Sequence, residues 1–185
     1  MNLIDGLDGL AAGISAIASV AIFLVAFQMG QWTCAAAMVA MAGAALAFLQ
    51  YNFNPAKIFM GDTGSYAVRV YYASVSIMGV MKSAATVVLI VPLVALGVPI
   101  MDTALAIVRR RLSGVPVFAP DKCHLHHRLL ALGLTQKQVV LIMYAITAFF
   151  SCVALLVIRM NIVLGIVILA AVFAAFLLWA KKLGS

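Results

Sequence analysis

Apolar runs of bilayer-crossing length follow one another along this 185-residue chain with little between them. Crossing the hydrocarbon core as a helix takes about 20 apolar residues, with about 17–25 tolerated. Six stretches approach or exceed that length, at residues 10–29, 32–50, 66–81, 84–108, 139–158 and 162–180. The first two predict a tight hairpin through Gly30 and Gln31. The third is short and carries Arg69, and the fourth is interrupted by Pro92, Gly97 and Pro99. The runs are apolar throughout rather than alternating, which argues against barrel strands. The expected fold is therefore all-α, a polytopic integral membrane protein with about six transmembrane helices. Composition agrees: 66% of residues are hydrophobic, 9% are charged, and mean hydropathy is +1.20. A soluble domain is about 45–50% apolar and about a quarter charged, so a soluble domain, a disordered tail and a secreted disulfide scaffold are all excluded. Cys34, Cys123 and Cys152 stand apart and predict neither a disulfide nor a zinc site.

The charges are few and unevenly placed. Twelve Lys and Arg face five acids, all of them Asp. Cations scattered between apolar blocks suit loops facing lipid headgroups rather than nucleic acid, so no nucleic-acid partner is expected. Threading six helices puts residues 1–9, 51–65, 109–138 and the C-terminus on one side. That side holds nine cations (Lys57, Arg109, Arg110, Arg111, Lys122, Arg128, Lys137, Lys181 and Lys182) against Lys82 and Arg159 opposite. The positive-inside rule makes it cytoplasmic. Arg69 lies about one turn inside its helix, from where it would snorkel back. Asp5, Asp8, Asp62, Asp121 and all three histidines fall on the same cytoplasmic side. Asp102 lies about two turns inside that face. One polar site at the cytoplasmic membrane face is expected.

Three segments carry the chemistry. Residues 2–10 pair Asp5 with Asp8 just before a helix, beside Gly6 and Gly9. The two acids fit either helix capping or ligand binding, and the helix start behind them favours phosphate. Residues 51–65 end in Gly61-Asp62-Thr63-Gly64-Ser65, a small-residue turn with one hard oxygen ligand. Mg²⁺ suits such a place, since it takes one or two carboxylates and leaves other positions to water and substrate phosphates. Taken alone, the pentapeptide reads more simply as a polar turn with Asp62 capping the next helix. Residues 109–128 bring Arg109, Arg110 and Arg111 together with Lys122, His124, His126, His127 and Arg128. The spacings of C₂H₂ and Cys₄ zinc sites are absent, whereas Arg, Lys and His on one loop suit oxyanions. The set fits magnesium-dependent transfer of a phosphoryl-linked group, in which the protein positions reactants and neutralises charge.

These segments resemble a known family. Asn-Leu-Ile-Asp-Gly-Leu-Asp-Gly-Leu at 2–10, Asn-Pro-Ala-Lys-Ile-Phe-Met-Gly-Asp-Thr-Gly-Ser at 54–65, Pro-Ile-Met-Asp-Thr at 99–103 and Pro-Asp-Lys-Cys-His-Leu-His-His-Arg-Leu at 120–129 are similar to motifs of the polyprenyl-phosphate N-acetylhexosamine-1-phosphate transferases, a branch of glycosyltransferase family 4. The His-x-His-His form is more similar to the branch that starts O-antigen, enterobacterial common antigen and teichoic-acid linkage units than to the muramoyl-pentapeptide branch. The resemblance implies transfer of GlcNAc-1-phosphate, or a related N-acetylhexosamine-1-phosphate, from a UDP-sugar to undecaprenyl phosphate with release of UMP. It implies Mg²⁺, with Mn²⁺ as its substitute, and a multi-pass place in the bacterial inner membrane with the active face cytoplasmic. By the same resemblance Asp62 is a metal ligand. Asn2, Asp5 and Asp8 line the nucleotide-sugar site, Phe59 lies against the uracil, and Asn54 joins them in the second motif. His124, His126, His127 and Arg128 bind phosphates, with Asp5, Asp8, His126 and His127 forming the catalytic set.

The family carries ten or eleven helices and an earlier adjacent aspartate pair that is absent from this sequence, and Arg69 stands where a smooth apolar helix is usual. The chain is thus expected to be the C-terminal membrane half of a transferase domain, with the missing half or a second copy as partner. Two rival readings are a non-catalytic fragment or paralogue, and a fragment of a polytopic transporter with Asp102 in a midplane site.

Overall fold

A computed structural model describes residues 6–82, 129–157 and 160–182. Five long helices form among them: α1 (Leu10–Gln28), α2 (Trp32–Asn52), α3 (Gly61–Lys82), α4 (Gln136–Val157) and α5 (Ile162–Lys182). The described residues contain no strand, and α1, α2 and α4 are each long and apolar enough to cross a membrane. The chain is an all-α integral membrane protein. The expected span at 84–108 lies outside the described residues.

α1 is the central helix, with thirteen of its nineteen residues buried. It packs along α2 and against α4. The hairpin to α2 follows from Gly30, whose φ of 69° is a backbone region that L side chains rarely adopt. There the Gly30 N–H donates to Phe27 O (3.1 Å) and the Gln31 N–H to Ala26 O (2.8 Å), the paired bonds that close a helix on a left-handed glycine. Phe27 and Trp32 brace the turn edge to face.

Two apolar clusters hold the bundle. One joins Ala18, Ile22 and Val25 of α1 to Cys34 and Met38 of α2 and Tyr72 and Val75 of α3. The other joins Leu7, Leu10 and Ile14 to Leu129 and to Val139, Val140, Met143 and Phe150 of α4. α3 is fastened by hydroxyls: Tyr71 donates to Ala37 O (2.7 Å), and Tyr72 donates to Ser15 O (2.6 Å) while lying 2.6 Å from Ser19 Oγ. Buried polar groups that meet each other in this way avoid the cost of standing alone in hydrocarbon.

Two boundaries differ from the sequence expectation. α3 begins at Gly61, five residues before the expected span, so the Gly-Asp-Thr-Gly-Ser turn is its first turn and a half. α4 begins at Gln136 because Thr135 and Gln138 form a reciprocal cap, with Thr135 N–H donating to Gln138 Oε1 (2.9 Å) and Gln138 N–H reaching Thr135 Oγ1 (3.4 Å).

Candidate functional site

The start of α1, the end of α2 and the start of α4 meet at one end of the bundle. At their meeting point lies Gly9, the residue before α1, with φ 81°. Its N–H donates to Asn52 Oδ1 (3.1 Å), its carbonyl accepts the first helical bond from Gly13 (2.9 Å), and the same carbonyl accepts the phenol of Tyr144 (2.5 Å). Asn52 is 3% exposed, and its amide donates in turn to Ile58 O (2.8 Å). One buried side chain at the end of α2 therefore ties the segment before α1 to the segment before α3.

Asp8 makes the second tie. Its Oδ2 accepts from Asn54 Nδ2 (3.0 Å) and from the Ala56 N–H (3.2 Å). Asn54 Nδ2 also donates to Gln136 Oε1 at the start of α4 (2.8 Å). No side chain caps α1, so of the two roles open to Asp8 in the sequence, capping is not the one it takes. Its carboxylate is directed across to residues 54–56, and Asp8 Oδ1 carries no hydrogen bond among the described residues. A half-committed carboxylate of this kind is held in orientation while keeping an acceptor for a ligand.

Residues 53–60 continue around the same end. Tyr51 O accepts from the Lys57 N–H (2.8 Å) and the Ile58 N–H (3.3 Å), which folds the segment back on the end of α2. Phe59 follows at 74% exposure, and Asp62 stands exposed in the first turn of α3. Seven residues on, Arg69 turns back toward this end, with Nε donating to Ser65 O (3.3 Å) and the guanidinium 4.2 Å from the Tyr66 ring centre. That is the direction snorkelling would take from this position.

Of the residues singled out in the sequence, the structure brings Asp8 and Asn54 into contact and places Phe59 and Asp62 further along the same segment. Asn2, Asp5, Asp102, His124, His126, His127 and Arg128 lie outside the described residues. Leu129, which follows Arg128 in the chain, is buried with Leu7, Leu10, Val139 and Val140, so the chain from Leu129 on is anchored beside the start of α1. Among the described residues no three His, Cys, Asp or Glu side chains converge as a metal cage. Asn52, Gln136 and Tyr144 were not foreseen. Asn52 and Gln136 look like ordinary polar residues at the edges of spans, and Tyr144 looks like one more aromatic inside one.

The glycosyl transferase family 4 profile matches residues 1–80. The chain is 46% identical over 155 residues to a probable undecaprenyl-phosphate N-acetylglucosaminyl 1-phosphate transferase of Bacillus subtilis (strain 168), covering 84% of this chain and 43% of that protein. It is 40% identical over 167 residues to the decaprenyl-phosphate N-acetylglucosaminephosphotransferase of Mycobacterium tuberculosis (strain ATCC 25618 / H37Rv), covering 78% and 40%. A phospho-N-acetylmuramoyl-pentapeptide-transferase of Moorella thermoacetica is 37% identical over 158 residues, covering 84% and 47%. The chain spans less than half the length of each of these relatives. The aspartate and Gly-Asp-Thr-Gly-Ser segments that the bundle joins at one end both lie inside the matched residues, and the chain belongs to glycosyl transferase family 4.

Proposed function

We propose that this chain supplies the donor-binding face of a polyprenyl-phosphate N-acetylhexosamine-1-phosphate transferase. A phosphate oxygen of undecaprenyl phosphate attacks the sugar-bearing phosphorus of a UDP-sugar, the bond to the bridging oxygen breaks, and UMP leaves. The single observation that carries this reading is the contact of Asp8 with Asn54 and Ala56, which joins two motif segments distant in sequence into one polar surface at a helix-bundle end. The sugar is read as GlcNAc because identity is higher to the N-acetylglucosaminyl relative (46%) than to the muramoyl one (37%). The product would start an envelope polysaccharide such as O-antigen lipopolysaccharide or a teichoic-acid linkage unit. The nine-to-two cation asymmetry supports a cytoplasmic location for the surface.

The residues fit Mg²⁺. Asp62 is an exposed hard-oxygen donor at the start of a 22-residue helix whose first N–H groups favour phosphate. With no cage of three ligands among the described residues, a cation here would rely on one or two carboxylates and on substrate oxygens, the habit of Mg²⁺; Mn²⁺ accepts the same donors. The metal, when bound, would neutralise charge on the diphosphate. The chain's own part is to orient Asp8 through Asn54, Ala56 and Gln136 and to present Phe59 and Asp62 on the same segment. His124, His126, His127 and Arg128 would complete the phosphate contacts, and Asn2 and Asp5 the nucleotide-sugar contacts.

The test is exchange of labelled UMP into UDP-GlcNAc, and transfer of labelled GlcNAc-1-phosphate to undecaprenyl phosphate, by the intact protein that carries this segment. Mg²⁺-dependent exchange and transfer are expected. Their absence from folded protein would favour the non-catalytic reading, and vesicle uptake of a solute without either reaction would favour the transporter.

A further inference from the structure

We infer that Tyr144 is a positioning residue, which holds the Asp8 segment from behind and so sets how Asp8 meets the donor. The inference rests on the transferase reading only for what Asp8 faces. Tyr144 lies in the third turn of α4, within a stretch expected to be buried in hydrocarbon, where a phenol needs a partner. Its partner is the Gly9 carbonyl, and the bond is short at 2.5 Å. The helix does not require it, because that carbonyl already accepts the Gly13 N–H at 2.9 Å.

The geometry around this bond is built for it. A Cβ at Gly13 would fall inside the Tyr144 ring, so the ring occupies the space that the missing side chain leaves. A Cβ on Gly9 would meet Tyr144 Oη, Leu49 Cδ1 and Phe53 Cδ2, each at 3.3 Å, and φ there is 81°. The Gly9 residue is thus gripped on both its polar groups, N–H by Asn52 and carbonyl by Tyr144, and Asp8 is the next residue. α4 grips Asp8 a second time through Gln136, which shares the Asn54 amide with the Asp8 carboxylate. Leu129, just past the histidine segment, is buried in the same cluster as Leu7 and Val139. One helix therefore carries the support for the aspartate segment and begins eight residues after Arg128. An Asp8 carboxylate out of register with the donor loses a charged hydrogen bond to it, which lowers affinity by about tenfold or more.

The variant Tyr144→Phe keeps the ring over Gly13 and removes only the O–H. In the intact protein it should raise KM for UDP-GlcNAc at least about tenfold, leave KM for undecaprenyl phosphate unchanged, and leave the melting midpoint in detergent near that of the parent. Tyr71→Phe, which deletes the same O–H from a bond to Ala37 O elsewhere in the bundle, should leave both KM values unchanged. Amide hydrogen exchange should quicken over residues 6–13 in Tyr144→Phe and nowhere else. Parent values of KM for UDP-GlcNAc in Tyr144→Phe would overturn the inference, as would equal shifts for both substrates or a fall in maximal rate alone, the mark of lost folded protein. If the parent transfers nothing from UDP-GlcNAc, the transferase reading fails by itself and exchange decides the positioning role. Faster exchange confined to residues 6–13 then supports it, and exchange equal to the parent overturns it.

Discussion

Asp62 stands exposed at the start of α3, and its assigned role needs a charge rather than a shape. Asp62→Asn keeps size and hydrogen-bonding capacity but is a far poorer ligand for a hard dication. In the intact protein this change should lower Mg²⁺-dependent transfer by more than the about 10–100-fold that loss of an outer-shell partner costs, with the melting midpoint unchanged. A transfer assay over a range of Mg²⁺ concentrations decides it, and parent rates at every concentration would remove Asp62 from the metal site. Gly13 makes the opposite kind of prediction. Gly13→Ala drives a methyl into the Tyr144 ring, so it should destabilise the bundle by about 1–3 kcal/mol, the range for overpacked cores. Denaturant titration in detergent, with Gly43→Ala as the comparison at a position open on all sides, measures that cost. At this scale the sequence spoke unevenly. Asp8 and Asp62 stood out because carboxylates are rare and costly in so apolar a chain, and Asn54 through the resemblance of its motif alone. Asn52 and Tyr144 were not, because their importance lies in which carbonyl and which N–H they meet across the bundle, and no spacing rule carries that.

Helix α3 shows what an element adds. Its apolar part was evident, but Gly61 to Ser65 read as a turn since glycine and small polar residues favour turns over helix interiors. In the fold they are helical, and the polar motif becomes the positive end of a helix dipole, a better place for phosphate than a loose turn. α3 also buries less apolar surface than α1, and hydroxyls take up part of the work of attaching it. Tyr72→Phe removes the donor to Ser15 O and the partner of Ser19 Oγ, leaving Ser19 in hydrocarbon without that contact. Membrane hydrogen bonds average about 0.6 kcal/mol and reach about 1.7, so this variant should lose about 1–2 kcal/mol of stability. Unfolding in mixed detergent micelles reads the loss directly, and a midpoint equal to the parent would show that the Tyr72 hydroxyl adds nothing to the attachment of α3. The two α1–α2 boundaries were read to within two residues because Gly30 closes one helix where apolar character also lapses. Where pattern and backbone signal coincide, the element is legible; where a polar motif sits inside a helix, it is not.

For the whole molecule, the question is which way the polar end faces. The bundle itself settles that Gly9, residues 53–60 and the start of α4 share one end, since Gly9 meets Asn52 and Tyr144, and Asn54 meets Gln136. The hairpin at Gly30 and the turn at Met160, between α4 and α5, follow at the far ends of the same helices. A 22-residue helix rises about 33 Å at about 1.5 Å per residue, which separates the two ends by a bilayer thickness. Charge then orients the bundle: Lys57 and Lys137 belong to the motif end, and Lys82 closes α3 at the other. Positive loops are retained in the cytoplasm, so the proposed orientation would put the motif end on the side where the proposed reaction needs its UDP-sugar. Single cysteines test it in a background with Cys34, Cys123 and Cys152 replaced by alanine. Lys57→Cys, on an exposed residue at the motif end, should react with a membrane-impermeant maleimide only in inverted vesicles. Met160→Cys, 41% exposed at the opposite end, should react only from outside, in cells or spheroplasts. Reaction of both from one side would contradict the helix threading, because α4 runs from the motif end, where Lys57 lies, to Met160 at the opposite end. Reaction of each from the side opposite to that expected would keep the threading and invert the protein, moving Asp8 and Asp62 away from any cytoplasmic UDP-sugar and ending the transferase proposal with them.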